Sequence, residues 1–244
     1  MMQATGHTVL ITGGASGIGL ALTEQFIQYG NKVIVVGQNK QKLDALKDRY
    51  PAVSTYACDL RSKDAIQGLV AALYERHPTL NILINNAGIQ HNYNFMNGVE
   101  ADLIEEEIGI NLTAPILLID QLLPLLARQP QSAIINVSSG LGIVPKKSAP
   151  VYCGTKAALH IFTKSLRDQL RESPVQVFEI IPPIVDTAMT QGRGRGKLSP
   201  EQLAEQFFRD FRRGRLEIAI GKVKLLKWLN RWFPSVAEAI LRHS

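Results

Sequence analysis

The 244-residue sequence predicts an α/β fold, a doubly wound parallel sheet covered by helices on both faces. Short runs rich in β-branched and other apolar residues alternate with longer segments whose apolar residues recur at helical spacing, which is typical of βαβ units. The short runs are almost entirely apolar, as strands are when both faces of a sheet are buried. A glycine-rich turn joins the first run to the first helical segment. We therefore expect a three-layer α/β/α arrangement.

The expected elements alternate along the chain. Strands are predicted at 8–12, 32–36, 53–57, 82–85, 133–137 and 175–180, and helices at 20–29, 40–50, 64–76, 102–126 and 156–170. The first strand ends where Thr12 meets Gly13, because glycine allows a tight turn. Ligands bind beyond the carboxyl ends of the strands in such sheets, so functional residues are expected in the loops that follow the runs.

Composition predicts one globular domain in the cytoplasm. Hydrophobic residues make up 45% of the chain and charged residues 20%, which suits a single full-sized core. Residues 1–8 are too polar for a signal peptide, and no apolar run approaches the roughly 18 residues that cross a bilayer. Cys58 and Cys153 lie far apart without a CxxC, and no histidine pair lies nearby at metal-ligand spacing, so we expect neither a disulfide framework nor a metal site.

The positive charge is concentrated near the C-terminus. The formal net charge is +6, with 15 Lys and Arg against 16 Asp and Glu in residues 1–191, and 12 against 5 in residues 192–244. This asymmetry is compatible with contact to an anionic surface. The basic residues are spread along the tail and do not form a dense cluster, so nucleic-acid binding is not expected.

The glycine-rich turn predicts a phosphate site. Residues 12–19 read Thr-Gly-Gly-Ala-Ser-Gly-Ile-Gly and precede a helical pattern. Glycines let the backbone approach a pyrophosphate closely, and the free N–H groups at the helix N-terminus stabilise its charge. The position of the turn between the first strand and the first helix favours a dinucleotide ligand.

A tyrosine and a lysine four residues apart, Tyr152 and Lys156, predict an acid–base pair. Both side chains lie on one face if the segment is helical. A neighbouring ammonium favours phenolate, so it is expected to lower the tyrosine pKa from its usual value of about 10. The hydroxyl would then exchange a proton with a substrate oxygen near neutral pH.

These motifs together, with Asn-Asn-Ala-Gly at 85–88 after the fourth run, resemble the short-chain dehydrogenase/reductase family. The spacing Thr-Gly-x-x-x-Gly-x-Gly is similar to that of its compact single-domain branch. The resemblance covers residues 8–190 and implies a Rossmann fold in which 1–244 form one domain. Residues 1–191 would be the cofactor-binding and catalytic core, 192–221 the substrate lid and last strand, and 222–244 a basic amphipathic tail.

By this resemblance the catalytic residues are Asn111, Ser139, Tyr152 and Lys156. The implied reaction moves a hydride between a nicotinamide and a carbonyl or secondary alcohol, with Tyr152 as general acid and base. Ser139 would hydrogen-bond the substrate oxygen, and Lys156 would tune Tyr152 and bind the nicotinamide ribose. Asn111 would anchor a water that links Lys156 to solvent. Ser138 is expected to face the other side of the strand.

The resemblance also implies a set of cofactor contacts. These are Thr12, Gly13, Ser16, Gly17, Ile18, Gly19, Gln38, Asn39, Asp59, Leu60, Asn86, Ala87, Gly88, Tyr152, Lys156, Val185 and Thr187. Two of them have structural alternatives that the sequence leaves open: Asp59 as a helix cap, and Asn86 as a turn former.

The end of the second strand bears on the choice of cofactor. A carboxylate there would bind the ribose 2′-hydroxyl and repel a 2′-phosphate, but the chain has Gly37, Gln38 and Asn39. Asn39, Lys40 and Ser16 supply donors that suit a phosphate. We therefore favour NADP(H) and leave NAD(H) open.

The C-terminal region has two interpretations. Basic residues alternate with apolar and aromatic ones at 222–233, which suits either a helix lying on a membrane or a helix packed on its own domain or a second subunit. We favour packing. Separately, the family resemblance implies a homodimer or homotetramer whose interface is formed by helices 102–126 and 156–170. The favoured partner is a small carbonyl or alcohol substrate. The competing functions are a non-catalytic NAD(P)-binding regulator and a peripheral membrane protein that uses the tail.

Overall fold

The fold is a parallel sheet of seven strands in the order β3-β2-β1-β4-β5-β6-β7, seen in a computed structural model that describes residues 2–192, 194 and 196–242. The strands are β1 Thr8–Thr12, β2 Lys32–Gly37, β3 Ser54–Ala57, β4 Ile82–Asn85, β5 Ser132–Val137, β6 Val175–Ile181 and β7 Glu217–Ala219. Every neighbouring pair is parallel. The predicted doubly wound sheet is confirmed, and the last strand lies within residues 192–221.

Helices cover both faces of the sheet. They are α1 Gly17–Gln28, α2 Lys40–Arg49, α3 Lys63–Arg76, α4 Ala101–Ile108, α5 Ala114–Ala127, α6 Pro150–Gln169, α7 Pro200–Arg212, α8 Val223–Trp232 and α9 Pro234–Leu241. The single helix predicted at 102–126 is wrong in one respect, since a π-helical turn at Gly109–Thr113 separates α4 from α5. Such turns insert one residue into the helical ladder and are frequent at functional sites.

The core has two halves because adjacent strand residues point to opposite faces. On one face Val9 and Ile11 of β1 pack with an aromatic cluster from α1 and α7, in which the rings of Phe26 and Phe208 are 4.6 Å apart. On the other face Leu10 packs with leucines of α3 and α5. All five residues of β1 are buried, which explains its uninterrupted apolar run.

The strand order creates a crevice at one end of the sheet. β1 lies between β2 and β4. The chain leaves β1 toward one edge of the sheet and leaves β4 toward the other edge, so the loops that follow these two strands diverge. The glycine turn after β1, the Asn-Asn-Ala-Gly loop after β4 and Ser139 after β5 all reach this end. The fold therefore gathers the motifs singled out from the sequence at one edge.

One helical stretch, Ala101–Ala127, is long and apolar enough by composition to cross a membrane. Its second half, α5, buries Leu118, Leu122, Leu125 and Leu126 against the sheet and α3. These contacts explain its hydrophobicity, since a helix covering a parallel sheet needs a wide apolar face.

The C-terminal region begins at a capped helix. α7 starts at Pro200, and the Ser199 hydroxyl accepts a hydrogen bond from the Gln202 N–H while Gln202 Oε1 accepts from the Ser199 N–H. This is the capping box that fixes the entry of a helix. The preceding segment, predicted as part of the lid, includes Arg193 and Arg195, which lie outside the described residues.

Candidate active site

A cavity of about 710 Å³ lies at the carboxyl ends of the strands. Its walls come from the loops after β1 to β6 and from α6, α8 and α9. It extends from Gln38 after β2 to Tyr152 and Lys156 on α6. The glycine turn and the expected catalytic residues therefore share one cavity.

The glycine turn has the geometry of an anion cradle. Gly13 and Gly17 have φ of +66° and +53°, a region that other residues adopt at a cost. α1 begins at Gly17, so its first N–H groups have no partner within the helix, and Gly17, Ile18 and Gly19 line the cavity. Ser16 lines the cavity, and its hydroxyl makes no capping hydrogen bond.

Thr12 and Asn86 hold the turn against the loop after β4. The N–H groups of Asn86 and Ala87 each donate to Thr12 Oγ1 at 3.0 Å, and Asn86 Nδ2 donates to the Thr12 carbonyl at 2.9 Å. Asn86 is therefore more than a turn former, because its amide ties two cavity loops together. Thr12 is only 2% exposed and does not line the cavity, so its side chain braces the turn from behind.

Ser139, Tyr152 and Lys156 converge on the cavity from two elements. Ser139 follows β5 and caps the short 3₁₀ turn Gly140–Gly142, while Tyr152 and Lys156 lie one turn apart on α6. Tyr152 hydrogen-bonds Ser139. The Lys156 ammonium lies 5.8 Å from the centre of the Tyr152 ring and donates to the Val137 carbonyl at 2.9 Å.

The electrostatics of this pair correct one expectation. Burial raises the pKa of Tyr152 to about 12, and the hydrogen bond from Ser139 only partly opposes it. The expected lowering by Lys156 is wrong here, because burial acts on both groups and also lowers the pKa of Lys156 to about 8. Near neutral pH the phenol thus holds its proton, whereas the ammonium is close to its titration range.

Lys156 is expected to cost the protein stability. Its side chain is 4% exposed, and the shift from 10.5 to about 8 means that the charged form is disfavoured in the folded state. The penalty is fully present below about pH 8 and disappears as pH rises toward the unfolded value of about 10.5. At about pH 7 we expect the free energy of unfolding of Lys156→Met to exceed that of the wild type by about 2 kcal/mol, after subtraction of one lost hydrogen bond. The variant should therefore unfold at a higher urea concentration.

The pH dependence distinguishes this cause from better packing by methionine. The advantage of Lys156→Met should shrink between about pH 8 and pH 10.5, since only the wild-type lysine titrates there. Urea unfolding of both proteins at about pH 7 and pH 10 measures it. A constant advantage at both pH values would contradict the charge penalty.

Asn111 lies behind the cavity wall in the π-helical turn. Its Oδ1 accepts from the Ile89 N–H at 2.9 Å, and its Nδ2 donates to the Ile89 carbonyl at 2.9 Å and to Thr155 Oγ1 at 3.3 Å. Both amide hydrogens are thus used, and the side chain is fully buried. In this arrangement Asn111 ties the loop after β4 to α6, next to Lys156.

Ser138 and Ser139 point to different environments, as strand alternation predicts. Ser138 Oγ donates to Glu179 Oε1 at 2.5 Å, and His160 Nδ1 lies 2.8 Å from the same oxygen. Ligand atoms of His160, Glu179 and Glu217 lie within 4.8 Å of one another. The Lys227 ammonium pairs with Glu217 there, so side chains of the protein already balance this cluster.

The loops after β2 and β3 form the far end of the cavity. Gln38, Asp59 and Leu60 line it. The Asp59 carboxylate pairs with Arg61 at 2.6 Å, which holds its pKa below the usual range. Asp59 does not cap α3, because Ser62 does. Asn39 does not line the cavity, since its side chain caps α2 by accepting from the Lys42 N–H at 3.0 Å.

The segment after β6 lies over the glycine turn. Val185 and Thr187 both line the cavity, and Thr187 precedes a short 3₁₀ turn, Ala188–Thr190. A Cβ on Gly17 would lie 3.1 Å from Thr187 Cγ2. This close approach and the φ of +53° both disfavour any residue other than glycine at the start of α1.

The structure brings together most of the residues predicted from the sequence. Those on the cavity wall are Gly13, Ser16, Gly17, Ile18, Gly19, Gln38, Asp59, Leu60, Asn86, Ala87, Gly88, Ser139, Tyr152, Lys156, Val185 and Thr187. Thr12, Asn39 and Asn111 lie behind it and support it. Their packing role follows from hydrogen bonds that motif spacing does not reveal.

Two groups near the site were not singled out from the sequence. Glu107 on α4 is fully buried, accepts from the Tyr93 hydroxyl at 2.8 Å, and acts electrostatically on Lys156. Nothing in the acidic run at 105–107 distinguishes it. Leu226 and Leu229 on α8 line the cavity. Val223, Leu226 and Leu229 recur every three residues, which is typical of the buried face of a helix. The charged residues between them made this pattern hard to recognise in the sequence.

The sequence resembles those of known proteins over most of its length. The sequence profile of the family described as short chain dehydrogenase matches residues 7–197. The uncharacterized oxidoreductase DltE of Bacillus subtilis (strain 168) is 39% identical, covering 93% of this chain and 92% of its own. An uncharacterized oxidoreductase of Staphylococcus epidermidis (strain ATCC 35984) is 30% identical, with coverage of 84% and 90%.

Solved structures resemble the whole chain. A short-chain dehydrogenase from Sphingobium yanoikuyae in complex with NADPH has a TM-score of 0.82 at 28% identity, covering 96% of this chain and 93% of its own. A short chain dehydrogenase from Burkholderia cenocepacia J2315 in complex with NADP has a TM-score of 0.87 at 23% identity, covering 98% and 99%. One from Burkholderia phymatum in complex with NAD has a TM-score of 0.85 at 20% identity, covering 100% and 98%.

Proposed function

Because this chain belongs to the short-chain dehydrogenase family, we propose that it is an NADP(H)-dependent oxidoreductase that interconverts a carbonyl and a secondary alcohol. The observation that carries this proposal is the placement of Ser139, Tyr152 and Lys156 in the same cavity as the glycine turn. A nucleotide-binding regulator would need the turn, but it would have no use for a buried phenol and ammonium beside a hydroxyl.

The residues present fit a nicotinamide dinucleotide. The turn presents N–H groups at the start of α1, which suit a pyrophosphate, and the cavity continues in both directions from it. Toward β2 it reaches Gln38, and toward α6 it reaches Tyr152 and Lys156. When bound, the nicotinamide supplies or accepts the hydride.

The chain's own residues would handle the oxygen of the substrate. With its pKa raised to about 12, Tyr152 keeps its proton near neutral pH and can donate it as negative charge develops on a carbonyl oxygen. The Ser139 hydroxyl, already bonded to Tyr152, would give that oxygen a second donor. Lys156, with its pKa lowered to about 8, can return a proton to Tyr152. Reduction of a carbonyl is therefore the direction that the protonation states favour.

The walls near Tyr152 favour an apolar substrate. Leu141, Ile184, Met189, Leu226 and Leu229 line the cavity that Tyr152 also lines. Burying apolar groups against such walls contributes about 25 cal/mol per Å² removed from water. Turnover of a ketone series with NADPH tests this, and we expect kcat/KM to rise with the apolar area of the ketone. Faster turnover of short polar ketones would contradict the proposed substrate class.

Cofactor choice can be tested at Gln38. A carboxylate at the end of β2 would repel a 2′-phosphate and accept from the ribose hydroxyls, so Gln38→Asp should shift preference toward NADH. We expect the ratio of kcat/KM for NADPH over NADH to fall at least about tenfold, equivalent to about 1.4 kcal/mol. The matched control is Gln38→Asn, which shortens the side chain equally without charge. A wild type that prefers NADH would overturn the proposed NADP(H) preference.

A further inference from the structure

The outward side of the C-terminal helices exposes an unusual set of apolar residues. We call Leu225, Trp228, Trp232, Phe233, Val236 and Ile240 the tail face; each is between 50% and 62% exposed. It contains both tryptophans of the chain, and Trp228 packs against Phe233 at 5.9 Å between ring centres. Contiguous exposed apolar surface of this kind marks an interaction site, whereas single exposed residues do not.

The tail face is surrounded by positive charge. Residues 222–242 contain five Lys and Arg and one acidic residue, Glu238. Lys222 and Lys224 are exposed and have no carboxylate partner within ion-pair distance among the described residues. The Arg231 guanidinium lies over the Trp232 ring at 5.6 Å. Any partner of this face must therefore be both apolar and anionic.

The same two helices form the rim of the cavity. Val223, Leu226 and Leu229 face inward and line it. Leu225 and Ile240 line it too, although they are 58% and 56% exposed. These two residues thus belong to both surfaces, so whatever covers the tail face also lies at the mouth of the cavity.

We propose that the tail face docks on the surface of an anionic lipid bilayer. Tryptophan and phenylalanine flanked by Lys and Arg are the composition that settles at the boundary between head groups and acyl chains. Each cation near an anionic surface strengthens binding about fivefold. A second copy of the chain is a poorer occupant, because a symmetric interface would place the exposed cations of one tail opposite the same cations of the other.

Docking would connect the cavity to the lipid phase. If the proposed oxidoreductase function holds, on which this step rests, an apolar ketone or alcohol dissolved in the bilayer could enter past Leu225 and Ile240 without crossing water. The chemical class of substrate is then a membrane-partitioned one. Docking itself requires no turnover, so it can be tested independently of the reaction.

Intrinsic fluorescence provides a direct measurement, because both tryptophans lie on the tail face. The full-length protein is titrated with vesicles of phosphatidylglycerol and phosphatidylcholine in equal parts, and with vesicles of phosphatidylcholine alone. We expect a blue shift and cosedimentation with the anionic vesicles, and much weaker binding to the neutral ones. Raising the salt concentration should weaken binding, since charge drives much of it.

Charge reversal locates the surface. Lys224→Glu/Arg231→Glu should weaken binding to the anionic vesicles at least about 25-fold, from the loss of two cations at about fivefold each. The matched control is Lys32→Glu/Lys47→Glu, which changes net charge equally at exposed positions on β2 and α2. Thermal unfolding and NADPH binding of both variants verify that each is folded.

Three results would overturn the proposal. One is the absence of binding to anionic vesicles by a protein that binds NADPH. Another is an equal loss of binding in the control variant, which would indicate a nonspecific effect of net charge. The third is a dimer in sedimentation equilibrium that the tail variant dissociates, which would assign the face to a second copy. Vesicle binding without turnover of any carbonyl would retain docking and reject the proposed function.

Discussion

Tyr152→Phe should reduce kcat for carbonyl reduction by at least about 10² to 10⁴-fold, the range for general acid–base groups. The substitution removes only the hydroxyl, which in the structure hydrogen-bonds Ser139 and has its pKa raised to about 12 by burial. In the proposed reaction the phenol is the proton donor, so phenylalanine would leave the substrate oxygen without an acid. Steady-state rates with NADPH and an apolar ketone measure the loss.

The control for this variant is cofactor binding. NADPH affinity should remain within a few-fold of the wild type, because the glycine turn and Lys156 are untouched. Unfolding should shift by less than about 1 kcal/mol, as one partly buried hydrogen bond is lost. Unchanged turnover would reject Tyr152 as the acid, whereas loss of NADPH binding would point to disruption of the cavity.

Gly19→Ala should impair both folding and cofactor binding. A Cβ at this position would lie 2.2 Å from the Gly13 carbonyl oxygen and 2.5 Å from Asn86 Nδ2. No rotamer change relieves a clash between a Cβ and backbone, so α1 or the turn must move. We expect a loss of about 2 to 4 kcal/mol in the free energy of unfolding. We also expect kcat/KM for NADPH to fall by about 100-fold, because misplacing a reacting group by about 1 Å can slow a reaction by that factor.

Gly68→Ala is the matched control for this substitution. Gly68 lies within α3, and a Cβ there would have nothing within 4 Å. Alanine in a helix interior is better than glycine by about 0.5 to 1 kcal/mol, so this variant should be stabilised and fully active. Urea denaturation and NADPH titration of both variants make the comparison. A Gly19→Ala protein as stable as Gly68→Ala would show that the close packing at the turn is not needed.

The fold could be predicted from the sequence because its signals are local and repeated. Strands buried on both faces are apolar along their whole length, as β1 is, so the sequence alone locates them. The break between α4 and α5 could not be predicted in this way. Asn111 in this turn bonds Ile89 and Thr155, partners that are distant in sequence and that no local pattern reveals.

The site residues that belong to sequence motifs could be predicted from their spacing. Glycines, Ser139, Tyr152 and Lys156 stand at fixed separations that the strand–turn–helix units convert into proximity. The sign of the Tyr152 pKa shift was not predictable, because it depends on how deeply α6 buries the pair. Likewise, only the packed structure shows that α8 has an inward face on the cavity and an outward face of tryptophans.

Transfer of deuterium from cofactor to product tests the proposed reaction most directly. The protein is incubated with an apolar ketone and NADPH that carries deuterium at the transferable C4 position, and the alcohol is analysed by mass spectrometry and NMR. We predict one deuterium on the carbinol carbon of the product, with product formation abolished in Tyr152→Phe. Consumption of NADPH without deuterated alcohol, or equal product from the Tyr152→Phe variant, would contradict the proposed reaction.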